Sequence, residues 1–230
     1  MECKDRQGNI ISANDGQDRI LKYLYETSTG RKILETLIQP WVSRMAGAFL
    51  ETHLSRVLIP FFVKTHSICL EDYEKEQFDS YNDFFTRKLL PGKRIFPEEA
   101  GQMGAPCDSK LSIYPITERS EFSIKNTVYT MESLTHSQKA AEYYQGGYLM
   151  VFRLTVDDYH RYAYVDDGKK TENYRIPGVF HTVNPLAGEH YPVYKENTRE
   201  ISFLKSKHFG TVMMMEVGAL LVGRILNFHK

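Results

Sequence analysis

Cysteine is scarce and poorly spaced for metal. The 230 residues hold 3 cysteines, Cys3, Cys69 and Cys107, and no CxxC pair. A zinc site is therefore not expected. An odd count without a secretory leader points to a reducing cytoplasm. There is no uninterrupted apolar run of about eighteen residues, the length a membrane-crossing helix needs. There is no excess charge either: Lys+Arg and Asp+Glu both total 29. A broad basic face for nucleic acid is thereby excluded. No internal repeat and no low-complexity segment interrupts the chain.

What is present is the makings of a packed core. Hydrophobic residues make up 42% and charged residues 25% of the chain. Tyr and Phe, 15 and 13 in number, fall mostly after residue 70, which favours a β-rich body. The expected class is α+β: a mainly antiparallel β body with an N-terminal helical layer. The predicted division is a helical region over 1–75 and a β-rich domain over 76–230.

The Gly8-Asn9 and Asp15-Gly16 pairs predict a short hairpin or loose arm before Asp18. Apolar spacing predicts helices over 19–26 and 30–39, the second capped by Ser28 or Thr29. Pro40 opens a further helix, with Trp41, Met45, Ala48, Phe49 and Leu50 as its apolar stripe. The dense run from Val57 to Val63 follows. Either these segments pack on the body, or they lie on a bilayer with Trp41, Phe61 and Phe62 inserted and Arg44, Arg56 and Lys64 at anionic headgroups.

Tyr81 to Leu89 reads as a short helix closed by Pro91-Gly92. Arg87, Lys88, Lys93 and Arg94 form a basic cluster, either a solvated face or a phosphate contact. Turns and alternation predict strands over 111–116, 124–131, 170–176, 179–183 and 218–225, a helix over 132–144, and a hairpin of 200–206 with 210–217. An open edge is expected at 218–225, giving aggregation or dimerisation.

The stretch from Val151 to Tyr162 is a strand emptying into Asp157-Asp158, followed by Tyr159, His160 and Arg161. A reactive side chain is well held at such a rim. Asp108, also at a strand–turn boundary, is its natural carboxylate partner for general-base work.

Several stretches resemble the phosphatidylserine decarboxylase family. They are Tyr81 to Leu90 with its Pro-Gly turn, Ala105 to Lys110, Phe152 to Arg161, Ile176-Pro177-Gly178 with Thr182-Val183-Asn184, and Val217-Gly218-Ala219 with Val222-Gly223. They keep the family's order over roughly residues 70–227. The resemblance implies conversion of phosphatidylserine to phosphatidylethanolamine and carbon dioxide. It implies a proenzyme cut at a Gly-Ser bond, with the Ser becoming a pyruvoyl group that condenses with the substrate amine and draws electrons as carbon dioxide leaves.

Carried over by motif, Asp108 is the orienting or basic carboxylate and His160 lies near the substrate carboxylate. Tyr159 and Arg161 flank the substrate. Where many members carry a second His this chain has Ala163, so His160 or His181 stands in. No Gly-Ser dipeptide occurs in the 230 residues. The expectation is a chain that lacks the pyruvoyl-forming Ser and is inactive alone, with a separate small chain as possible partner. A homodimer, phosphatidylserine and an anionic membrane surface are the other expected partners. The expected location is cytoplasmic, peripheral on the inner face of the membrane. The competing readings are a non-catalytic lipid-surface relative and a pyruvoyl decarboxylase of a soluble amino acid.

Overall fold

The computed structural model describes residues 3–4, 10–11, 15–66, 68–99, 101–124 and 127–227. Strands β1 (Cys3–Lys4) and β2 (Ile10–Ile11) pair antiparallel, as the expected hairpin requires. The Gly8-Asn9 turn itself lies outside the described residues. Helices α1 (Asp15–Glu26) and α2 (Ser28–Leu37) follow. The cap between them is Thr27, not Ser28 or Thr29. Its hydroxyl accepts the Gly30 N–H at 2.9 Å and donates to the Tyr23 carbonyl at 2.8 Å. Gly30 is required there, because a Cβ would sit 2.0 Å from the Tyr23 oxygen.

Leu24, Tyr25, Leu34 and Ile38 from these helices form one core cluster with Ala187 and Val193. The helical layer is thus packed onto the body through shared apolar burial, at about 1.5–3 kcal/mol per large side chain.

α3 (Pro40–Leu50) begins at its proline, whose missing N–H costs nothing in a first turn. A 3-10 turn (His53–Val57) leads to α4 (Leu58–His66), and α3 and the His53–His66 stretch are bent by 80°. No single described helix is long and apolar enough to cross a membrane. Buried Ser55 links this layer to α5 (Tyr81–Phe85) by accepting the Tyr81 N–H at 2.8 Å. Phe84 of α5 is fully buried and meets Phe62, Phe78 and Tyr81.

The body runs β3 (Lys110–Pro115), β4 (Glu121–Ile124), β5 (Thr127–Thr130), α6 (Met131–Thr135), α7 (Gln138–Tyr143), β6 (Tyr148–Arg153), β7 (Gly168–Lys170), β8 (Tyr174–Ile176), α8 (Ala187–His190), α9 (Val193–Glu196), β9 (Arg199–Ser206) and β10 (Thr211–Val217). All the strand pairs are antiparallel. β3 pairs with β6, β4 with β5, and β9 with β10, β7 and β8. The second core holds Ile116, Phe122, Ile124, Tyr129, Met131, Leu134 and Ala141, with Met213 and Met215 of β10 packed against it.

Five expected elements differ. The 124–131 strand is the last residue of β4, then β5, and stops where the Thr130 cap starts α6 at Met131. The 170–176 strand is the end of β7 and then β8, which pair with different stretches of β9. The 132–144 helix is two helices, α6 and α7, because His136 takes a left-handed φ of 53°. The 179–183 strand is only a bridge of Val179 to Asn197. The 218–225 strand is a turn: Ala219 and Val222 bond each other reciprocally, and Leu221 has φ of 65°. An open edge lies instead at β10, which among the described residues pairs only with β9.

Candidate functional site

The β3–β6 pair sets the site. Lys110 and Arg153 are register partners at one end of it. The chain enters that end through Asp108 and leaves it towards His160. Two backbone bonds join the entering and leaving segments: Ala163 N–H to the Pro106 carbonyl at 2.8 Å, and Gly104 N–H to the Val165 carbonyl at 3.1 Å. Asp108 and His160 are therefore brought to the same end of the body, although no hydrogen bond joins them among the described residues.

Asp108 is gripped by Arg94. The Nε of Arg94 donates to both carboxylate oxygens, at 2.9 and 3.0 Å, and its Nη2 donates to Oδ2 at 2.6 Å. Such a forked pair fixes the plane of the carboxylate. Cys107, between these groups, is partly buried, and burial pushes its thiol up.

His160 is fixed by the turn before it. Thr155 N–H and hydroxyl both donate to the Asp158 carboxylate, at 2.6 and 2.9 Å. The Asp158 carbonyl then meets His160 Nδ1 at 2.9 Å. A carbonyl only accepts, so Nδ1 carries the proton and Nε2 keeps its lone pair. The Phe85 ring lies 4.0 Å from the imidazole, centroid to centroid. Burial lowers the pKa of His160, so the ring is neutral near pH 7 and Nε2 is a usable base.

Tyr159 and Arg161 are taken up by the segment that follows α5. The Tyr159 oxygen accepts the Leu89 N–H at 3.5 Å, and Arg161 Nε donates to the Thr86 and Arg87 carbonyls at 2.9 and 3.2 Å. Both side chains clamp the end of α5 to the rim. Of the basic cluster, Arg87 is buried over the Tyr73 and Phe84 rings, Lys93 pairs with Asp72, and Arg94 holds Asp108. These three cations are consumed internally, and Lys88 is exposed.

His181 sits where α1 meets the body. The Tyr25 oxygen accepts the Thr182 N–H at 3.3 Å, so its own proton is free to go to His181 Nδ1 at 3.1 Å. That leaves the Nε2 proton directed at Glu196, 3.5 Å away. Asn197 closes the knot: it accepts the His181 N–H at 2.9 Å and donates to the His181 and Gly218 carbonyls, each at 2.8 Å. Burial lowers the pKa of His181 to about 4 and raises that of Tyr25 to about 12, so both are neutral at pH 7. These contacts are those of a structural knot between layers.

Two features escaped the sequence reading. One is Arg94 as the partner of Asp108, where only charge sign was visible. The other is Glu216 on β10, directly opposite Glu200 on β9. Both Glu216 oxygens are buried without a hydrogen-bond partner, and burial raises its pKa to about 7. A cavity of about 880 Å³ lies elsewhere, between residues 96–99 with Gln102 and β7. It is lined by Glu98, Asp166, Lys170, Lys207 and His208 among others, so its charges oppose one another.

The chain is similar to proteins of one known family. The family model described as phosphatidylserine decarboxylase matches residues 81–230. Phosphatidylserine decarboxylase proenzyme 2 of Clostridium acetobutylicum is 43% identical over 208 residues, covering 90% of this chain and 72% of that protein. The phosphatidylserine decarboxylase proenzyme of Ruminiclostridium cellulolyticum is 36% identical, covering 98% of this chain and 76% of that protein. That of Chlamydia caviae is 33% identical, covering 92% and 73%.

Proposed function

The chain belongs to the phosphatidylserine decarboxylase family, and from that membership we infer that it converts phosphatidylserine to phosphatidylethanolamine and carbon dioxide in phospholipid biosynthesis. The observation that carries the site is the Ala163-to-Pro106 bond, which holds the Asp108 turn against the segment that bears His160.

Loss of carbon dioxide leaves an electron pair on carbon, which must take up one proton. His160 Nε2, left with its lone pair because Nδ1 is committed to the Asp158 carbonyl, takes a proton from the substrate ammonium as that group becomes a free amine, and returns it from the imidazolium to this carbon. Asp108, held in one plane by Arg94, orients the reacting groups at the same rim. A pyruvoyl carbonyl held at this rim would supply the sink for the electron pair that carbon dioxide leaves behind. The residues present suit it: an imidazole nitrogen with a free lone pair, at the same end of the β3–β6 pair as a carboxylate neutralised by Arg94. The 230 residues contain no Gly-Ser bond to be its source. We place that source outside these residues, with the side of β10 that no described strand pairs as its seat. Copurification of a second short polypeptide with the processed protein supports this, and a homodimer through the same edge is the other outcome that light scattering distinguishes.

The lipid is reached through α3, the 3-10 turn and α4. Trp41, Met45, Phe49, Leu54, Val57 and Phe61 are all exposed on these segments, Val57 at 77% and Phe61 at 74%. So much apolar surface beside exposed Arg44, Arg56 and Lys64 suits an anionic bilayer surface. Phe62 is not part of that surface, since it packs on Tyr81 and Phe84. This exposed apolar and basic surface supports peripheral binding at the cytoplasmic face of a membrane.

The test is to express the protein from its complete reading frame and incubate it with phosphatidylserine vesicles. Mass spectrometry should show phosphatidylethanolamine accumulating, and Val57→Glu with Phe61→Glu should leave the protein unbound in vesicle flotation. Vesicle binding without any change in lipid headgroup would instead leave a non-catalytic lipid-surface protein.

A further inference from the structure

Lys110 and Arg153 face each other at the Asp108–His160 end of the β3–β6 pair. Register partners in an antiparallel pair project to the same face, so two cations are set side by side there. Like charges directly opposite are destabilising, and neither side chain has a carboxylate partner among the described residues. Lys110 Nζ donates only to the Thr155 hydroxyl, at 3.3 Å, and that hydroxyl is already turned to Asp158. The Arg153 guanidinium makes no hydrogen bond and no ion pair with any described residue. Nearby cations are treated differently: Arg94 and Lys93 have carboxylates, and Arg87 has two carbonyls.

Arg153 is partly buried and lines a narrow cavity with Ser112, Tyr114, Asn184 and Tyr194. A half-buried, unpaired guanidinium in a cleft, beside an ammonium with no counter-ion, is a place for an anion. Its forked donors and the adjacent point charge suit a tetrahedral group with several oxygens.

We propose that Lys110 and Arg153 form the subsite for the phosphodiester of the substrate headgroup. This rests on the decarboxylase reading and deepens it. The phosphate is the better match of the headgroup's two anions. A carboxylate clamped by two cations would be stabilised in the ground state, which opposes its departure as neutral carbon dioxide. Held instead by its phosphate, the headgroup extends its serine along the rim towards His160.

The experiment is a 31P NMR titration of the protein with glycerophosphoserine, the headgroup without acyl chains. Inorganic phosphate and free serine serve as separate probes. Wild type should bind glycerophosphoserine and, more weakly, phosphate, while serine followed by its own proton signals should not bind. Arg153→Gln should weaken glycerophosphoserine binding about tenfold or more, Lys110→Gln several-fold, and Arg153→Lys, which keeps the charge and loses the fork, by an amount between those two. If Arg153→Gln unfolds, as read by circular dichroism, Lys110→Gln decides. No binding by folded wild type overturns the subsite, as does undiminished binding by the folded variants. Serine binding as tight as glycerophosphoserine also overturns it, because the anion held is then the carboxylate. Carbon dioxide release from phosphatidylserine, measured in parallel on the full-length protein, separates the two claims. Activity without phosphodiester binding sinks only the subsite, and binding without activity sinks only the decarboxylase reading.

Discussion

Ala163 donates its backbone N–H to the carbonyl of Pro106 at 2.8 Å, and through that contact the segment after His160 is tied to the turn before Asp108. Neither residue brings a reactive group, yet their pairing sets the distance between the two that do. Ala163→Pro removes the donor and leaves the Pro106 carbonyl unpaired. It should lower stability by about 1–3 kcal/mol and reduce decarboxylation further than the fall in folded fraction explains. Thermal unfolding and turnover measured on the same preparation check this. Ala163→Gly, which keeps the N–H, is the control.

Arg94 and Asp108 form an exposed pair, with side chains 49% and 30% accessible. Exposed pairs contribute about 0–1 kcal/mol, so Arg94→Ala should barely move the melting temperature. It should nevertheless lower turnover, because the Asp108 carboxylate is no longer held in one plane. Equal turnover at saturating lipid would show that this orientation is irrelevant to the chemistry.

His181 is buried as the neutral imidazole, with its pKa lowered to about 4 from 6.5. Between those two values the unfolded chain binds a proton that the folded chain refuses, so stability falls as pH drops from about 6.5 to about 4. His181→Asn should flatten that acid limb while lowering stability near pH 7, since it breaks the bond to Tyr25. Urea unfolding at a series of pH values reads both effects.

Glu216 behaves oppositely. Its pKa is raised to about 7 from 4.5 by burial. The folded protein holds a proton that the unfolded chain releases. The stabilisation is therefore complete below about pH 4.5, is lost as pH rises to about 7, and stays lost above that. Glu216→Gln keeps the neutral shape and removes the titration. Relative to wild type it should gain on the order of 2–3 kcal/mol across that window. A constant difference between the two proteins from pH 4 to 8 would rule this out.

Much of the scaffold was legible because its signals are local. Alternation placed β3 and β6, and the Gly210 turn placed the β9–β10 hairpin. Pro40 announced a helix start. The misses are places where backbone geometry departs from side-chain pattern. His136 breaks a continuous helical pattern by entering the left-handed region, and Leu221 does the same to a strand-like run of small residues. At the site, Asp108 and His160 were readable from their strand-end positions. The Arg94 grip on Asp108 was not, since sequence shows charge but not which of four nearby cations reaches back. Tyr25 as the partner of His181 was hidden entirely, being 156 residues away.

The central claim is that Asp108 and His160 work at one site on one reaction. A double-mutant cycle on the full-length protein tests it most directly, with phosphatidylethanolamine formation as the readout. Asp108→Asn and His160→Ala should each lower turnover about a hundredfold or more, and the double variant should be no worse than the poorer single. Losses that multiply, or a single variant with wild-type turnover, would contradict the account.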